Sequence, residues 1–188
     1  MVKKSCFIAS IFALLVVFGA VIGSAGDIQQ LVGKQLPAIK LLTLDANEKW
    51  VDGDMPQLGK KVLSIMYTDA DKSDMNDPLS DAINAKDYPK DKYQGIGIGN
   101  SKDAPWIMDA LIRSIAKGKM KKYKGSIILL DETLAFAQKL GLGDCNDKAV
   151  VMIVDKTGKI LYIKKISSEK ESTAMIPEVL KILDATIK

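Results

Sequence analysis

Three short, unbroken apolar runs, set apart by stretches of helical periodicity, constrain this chain more than any other feature. Residues 61–67 (KVLSIMY), 126–130 (SIILL) and 149–154 (AVVMIV) are too short for helices and lack the polar alternation of a strand with one wet face. Such runs read as strands buried on both faces, which requires helices on both sides of the sheet that contains them. The intervening segments supply those helices. Asp77 before Pro78 predicts an N-cap with proline in the first turn, and Leu79, Ala82 and Ile83 form the inner face. Asp103 with Pro105 predicts the opening of a longer helix, whose Met108, Leu111, Ile112 and Ile115 recur at helical spacing as its buried face. Asp131 predicts the cap of a third helix through Leu134, Ala137 and Leu140, stopped by Gly141.

Residues 39–44 and 49–51 flank a turn at Asp45 and predict an antiparallel pair; residues 93–99 predict a further strand. Residues 159–165 return along 149–154 through Asp155-Lys-Thr-Gly158, with glycine at the left-handed position of the hairpin. A last helix carries Ile176, Val179, Leu180, Leu183 and Ile187 on one face, with Pro177 expected in its first turn. Alternating βα units that end in an antiparallel hairpin imply an α/β fold with a mixed sheet and helices on both faces.

The N-terminus has a different character. Lys3 and Lys4 precede an apolar run from residue 7 to 22, and Gly23 and Ala25 place small residues ahead of a cut after Ala25. This is the layout of a secretory signal peptide at 1–25, followed by a single domain at 26–188. The run is shorter than the roughly 20 residues of a spanning helix, so contact with a membrane is expected only through an uncleaved leader. The expected location is the periplasm. The net charge of +4 falls to about +2 without Lys3 and Lys4. With Arg113 as its only arginine, the chain has no electrostatic footprint for nucleic acid.

The corner Asp71-Lys-Ser-Asp-Met-Asn76, the stretch Tyr88-Pro-Lys-Asp-Lys-Tyr-Gln94 and the segment at 149–159 (AVVMIVDKTGK) carry a resemblance to a known family. Across nearly the whole mature chain, the sequence resembles the YtfJ family of periplasmic thioredoxin-fold proteins, relatives of the redoxins. The resemblance implies a thioredoxin-like three-layer sandwich and an extracytoplasmic compartment. It implies no particular reaction.

In redox-active relatives a cysteine follows the strand equivalent to 61–67, where the helix N-terminus lowers the thiol pKa. Here Asp69, Asp71, Ser73 and Asp74 occupy that corner, and a carboxylate cannot exchange disulfides. Lys148 and Ala149 stand where such folds place a cis-proline. Outside the leader, which holds Cys6, Cys145 is the only cysteine, and it lies between Asp144 and Asp147, acids that disfavour a thiolate. The expectation is a non-catalytic binding or accessory factor for an envelope protein, without a cofactor. The alternative is a thiol oxidoreductase or peroxidase using Cys145.

Histidine is absent, which excludes a Ser-His-Asp triad and a His-ligated zinc site. Gly95, Gly97 and Gly99 echo a dinucleotide loop, but position 102 is lysine, so close backbone packing in a sheet is the expected role. Asp69, Asp71, Asp74 and Asp77 are weak candidates for a calcium or magnesium site. The EF-hand pattern fails, because Asp74 stands at the position of its glycine and Ser80 at that of its glutamate. Lys117, Lys119, Lys121 and Lys122 form a possible patch for an acidic partner. Oligomeric state is not legible.

Overall fold

The computed structural model describes residues 27–102, 104 and 106–188, apart from the Trp106 side chain. The predicted leader at 1–25 lies outside the described residues, as do Asp103 and Pro105, the expected opening of the long helix. Among the described residues seven strands form one sheet: β1 (Lys40–Leu44), β2 (Trp50–Asp54), β3 (Val62–Asp69), β4 (Tyr93–Asn100), β5 (Ile127–Asp131), β6 (Ala149–Val154) and β7 (Ile160–Ile166). Their spatial order is β2-β1-β5-β4-β3-β6-β7. β3, β4 and β5 run parallel, and the pairs β1–β2, β1–β5, β3–β6 and β6–β7 are antiparallel. Among the described residues four α-helices accompany them: α1 (Asp77–Asn84), α2 (Asp109–Lys122), α3 (Ala135–Leu140) and α4 (Glu169–Thr186).

The sheet separates two cores, as the apolar runs require. On one face Leu63, Ile65 and Tyr67 of β3 join Ile96, Ile98 and Leu129 against Phe136 of α3. The other face buries Ala149, Val151 and Ile153 against Leu79 and Ile83 of α1 and Met175, Val179 and Leu183 of α4. The β6–β7 hairpin turns where expected: Gly158 has φ of 91°, and the Asp155 carboxylate accepts from the backbone of Thr157 and Lys159. Asp131 caps α3, accepting from the N–H groups of Ala135 and Phe136 at 2.8 and 2.9 Å, and Gly141 ends that helix in the left-handed conformation.

Three expectations need correction. Asp77 is the first residue of α1 and not its cap; its carboxylate is drawn to lysines of α2, while Asn76 at the cap position gives its amide to Thr68 Oγ1 at 2.7 Å. Pro177 lies well inside α4, because the helix starts earlier than its apolar periodicity. Ser168 Oγ accepts from Glu171 N, and the Glu171 carboxylate accepts from Ser167 N, a reciprocal cap that nucleates the polar first turns. The predicted inner face of α2 is largely wet. Met108, Leu111 and Ile115 are 37%, 49% and 37% exposed, and Ala116 is the buried residue of this helix.

Candidate functional site

Three polar residues end the parallel strands in register: Asn100 on β4 pairs with Asp69 on β3 to one side and with Asp131 on β5 to the other. All three are buried. In open α/β sheets the C-terminal strand edge is where ligand sites form, and the corner between β3 and α1 opens from it. The Asp69 carboxylate accepts from Asp71 N at 3.4 Å and from Asp147 N at 2.8 Å, and Asp69 N donates to Lys148 O. Asp69 therefore staples the loop before β6 to the corner, and its oxygens are committed to backbone. Asp71 is exposed. Ser73 Oγ approaches Asp74 at 3.5 Å, and Lys72 pairs with Asp147 at 3.1 Å.

Cys145 sits in the loop that Asp69 anchors. It is 4% exposed and belongs to the larger core, beside a cavity of about 200 Å³ that Asn100, Leu134 and Gln138 also line. Burial pushes the thiol pKa up, and Asp144 and Asp69 add to that push. Lys165 and Lys148 pull the other way, but neither ammonium is aimed at sulfur. Lys165 Nζ donates to the carbonyls of Leu142 and Asp144, and Lys148 Nζ pairs with the Asp144 carboxylate at 2.6 Å. The resulting species is a protonated, packed thiol. Tyr67 stacks on Phe136 with ring centroids 5.2 Å apart. Its phenol pKa is driven up by burial and then by Asp131, Cys145 and Asp69 nearby. That hydroxyl is buried beside the Asp131 carboxylate.

The family described as "Bacterial protein of unknown function (YtfJ_HI0045)" matches residues 44–185. The chain belongs to this YtfJ family. No curated protein matches its sequence. Among solved structures, AhpC of Mycobacterium tuberculosis is similar at 17% identity, over 82% of this chain and 91% of that one, with a TM-score of 0.56. The exposed lipoprotein thioredoxin Etrx1 of Streptococcus pneumoniae is similar at 18% identity, over 78% and 100%, with a TM-score of 0.53. So is the thioredoxin domain of a thiol-disulfide oxidoreductase of Bacteroides vulgatus, at 17% identity, over 80% and 96%, with a TM-score of 0.53. These likenesses establish the thioredoxin-like α/β fold.

On this YtfJ scaffold the acidic corner and the basic patch face one another. Lys119 of α2 pairs with Asp74 at 2.7 Å and also with Asp77; Lys122 pairs with Asp77 at 2.9 Å and reaches Asp81 at 3.5 Å. Burial alone would raise the Asp77 pKa, but hydrogen bonds from Lys119 and Lys122 outweigh it and hold the carboxyl below the usual range. Lys117 pairs with Glu48 at 3.2 Å, and Lys121 stays exposed. Of the four predicted metal candidates, Asp74 and Asp77 are thus engaged by lysine and Asp69 by backbone, which leaves Asp71 in solvent. Among the described residues no group of three or more acids or cysteines is arranged to hold a metal ion. No cis peptide bond occurs among the described residues, including the 148–149 junction. Sequence reasoning missed Tyr67 and Asn100. The available signal was a polar residue closing each of three apolar strands.

Proposed function

We propose that this chain is an exported thioredoxin-fold protein that acts in the periplasm by binding, as an accessory to another envelope protein, without dithiol chemistry. One observation carries the reading: the corner that follows β3 holds carboxylates committed to backbone and lysine, while Cys145 is a buried thiol with a raised pKa. Nucleophilic sulfur requires an accessible thiolate. The leader-like pattern at 1–25 supports export, and no helix among the described residues is long and apolar enough to cross a membrane. Purified protein starting at Gly26 is expected to leave insulin disulfides intact and to consume no hydrogen peroxide with a thiol donor. Turnover that disappears in Cys145→Ser overturns the reading. The cavity beside Cys145 favours a second one, thiol oxidoreductase or peroxidase chemistry at that sulfur. The same pair of proteins distinguishes the two. Cell fractionation and the intact mass of the mature chain test export directly.

A further inference from the structure

A cleft of about 400 Å³ lies between α1 and α2, on the sheet face opposite Tyr67. Its floor is made of alternate residues of three adjacent strands: Ser64 and Met66 of β3, Gly95, Gly97 and Gly99 of β4, and Ile128 and Leu130 of β5. Glycine is what makes this floor deep. A Cβ on Gly97 would fall 2.6 Å from Ile128 Cδ1, so Ile128 lies across the space a side chain would fill. Ile83 of α1 and Ile112, Ile115 and Ala116 of α2 form the walls. The Lys119 and Lys122 pairs with Asp74, Asp77 and Asp81 tie the two walls together.

The volume and the apolar lining with a few polar groups fit a small-molecule site, for which roughly 300–1,000 Å³ is usual. A helix, about 10–12 Å across with its side chains, does not fit a cavity of this volume. The floor from Gly95 to Gly99 extends about 13 Å at strand spacing, which suits an alkyl chain.

Charge is concentrated at one end. Lys90 and Lys124 line the cleft beside Gln94 and Gly125, and neither forms an ion pair among the described residues. Lys61, outside the lining, donates its Nζ to Lys90 O at 2.6 Å and brings a third ammonium near this end, where Asp87 is the lining acid; the other lining acids, Asp69 and Asp77, are held by backbone and by lysine. We infer that this cleft binds a single-chain anionic amphiphile of the fatty-acid class, with its alkyl chain along the Gly95–Gly99 floor and its carboxylate at the Lys90 and Lys124 mouth. The inference deepens the binding role proposed above by naming a ligand class, and it does not depend on the state of Cys145.

Isothermal titration of the mature protein with dodecanoate, below its micelle threshold, tests it. Saturable one-to-one binding is expected, weakening with salt. It should fall at least about fivefold in the Lys90→Glu, Lys124→Glu double variant, whose exposed sites do not touch the core. Gly97→Val, which drives Ile128 into the cleft, should abolish binding while far-UV circular dichroism stays native. Absence of saturable binding by the wild type overturns the inference. So does dodecanol binding as tightly as dodecanoate, or an unaltered affinity in the charge-reversed variant. Concentration-dependent dimerisation in sedimentation, with no dodecanoate uptake, would assign the apolar face of α2 to a second copy instead. Cys145→Ser should bind dodecanoate like the wild type, so failure here and failure of the redox-inactive reading are separate outcomes.

Discussion

Replacing Asp131 tests whether the polar row at the strand edge is structural. Its two carboxylate oxygens take the N–H groups of Ala135 and Phe136, and the residue is 1% exposed. In Asp131→Ala the helix loses a side-chain cap, worth about 0.5–2 kcal/mol. The two amides lose their acceptors inside the protein, at about 1–3 kcal/mol for a buried unsatisfied group. These contributions overlap, because the cap consists of those same bonds, so about 3 kcal/mol is the expected loss. For a domain of this size each kcal/mol lowers Tm by about 2–4 °C, which predicts a fall of about 6–12 °C. Asp131→Asn keeps one acceptor oxygen and turns an NH2 group toward the second amide, so it should fall between wild type and alanine. Urea denaturation followed by far-UV circular dichroism gives the free energies and calorimetry the Tm. Asp74→Ala, which removes an exposed partner of Lys119, serves as the control and should cost well under 1 kcal/mol. If Asp131→Ala costs less than about 1 kcal/mol, or no more than the control, the cap does not hold the edge together and the reasoning fails.

Three further outcomes follow from the same geometry. Because the folded Cys145 pKa is raised, the stability tied to its protonated form is complete below the unfolded value of about 8.5 and is lost as pH climbs through the folded pKa; labelling with a disulfide reagent at pH 8 should be far slower in the native protein than in urea, and equal rates would contradict it. The Asp77 pKa is lowered, so its contribution is present above the unfolded carboxylate value of about 3.9 and disappears as pH falls through the folded pKa; Asp77→Asn should flatten the acid limb of Tm against pH, and an unchanged limb would show that the lysine pairs do not matter. Pro177 is exposed within α4 and denies Thr173 its backbone donor, so Pro177→Ala should stabilise by about 1 kcal/mol or more, and a drop in Tm would mean that the ring itself packs usefully.

The sheet was legible because burial on both faces leaves an unambiguous pattern. Each run at 61–67, 126–130 and 149–154 became a strand of the parallel or hairpin part of the sheet, within a residue or two at each end. What misled was periodicity without a partner. Met108, Leu111, Ile112 and Ile115 repeat as a core face does, yet Ile112 and Ile115 border an open cleft whose floor includes the glycines of β4, and Met108, Leu111 and Ile115 stay partly exposed. Hydrophobic spacing reports that a helix has an apolar side; it says nothing about what covers that side. The N-terminal half of α4 escaped notice for the opposite reason. Its turns are held by Ser168 and Glu171 rather than by apolar spacing. At the candidate site, the cysteine-free corner could be read directly. The pairing of that corner with lysines some 45 positions away could not, since only the packing of α2 beside α1 brings the two together.

That pairing also shows how one electrostatic device serves two ends. A helix N-terminus carries partial positive charge and a C-terminus partial negative charge. In a redox-active thioredoxin fold the N-terminal charge stabilises a thiolate. Here Asp77 opens α1 and Lys119 and Lys122 close α2, so each charged group complements its own helix end before it meets the other. Restoring a cysteine at the corner would therefore not restore thiol chemistry by itself. A thiolate at position 71 or 74 would share the helix end with Asp77, whose negative charge is kept in place by two lysines across the cleft. Asp74→Cys is accordingly expected to have an ordinary rather than a depressed thiol pKa, and only removal of the Asp77 charge as well should lower it. A single substitution that yields a thiolate at neutral pH would show that the lysines, and not Asp77, dominate the field at this corner.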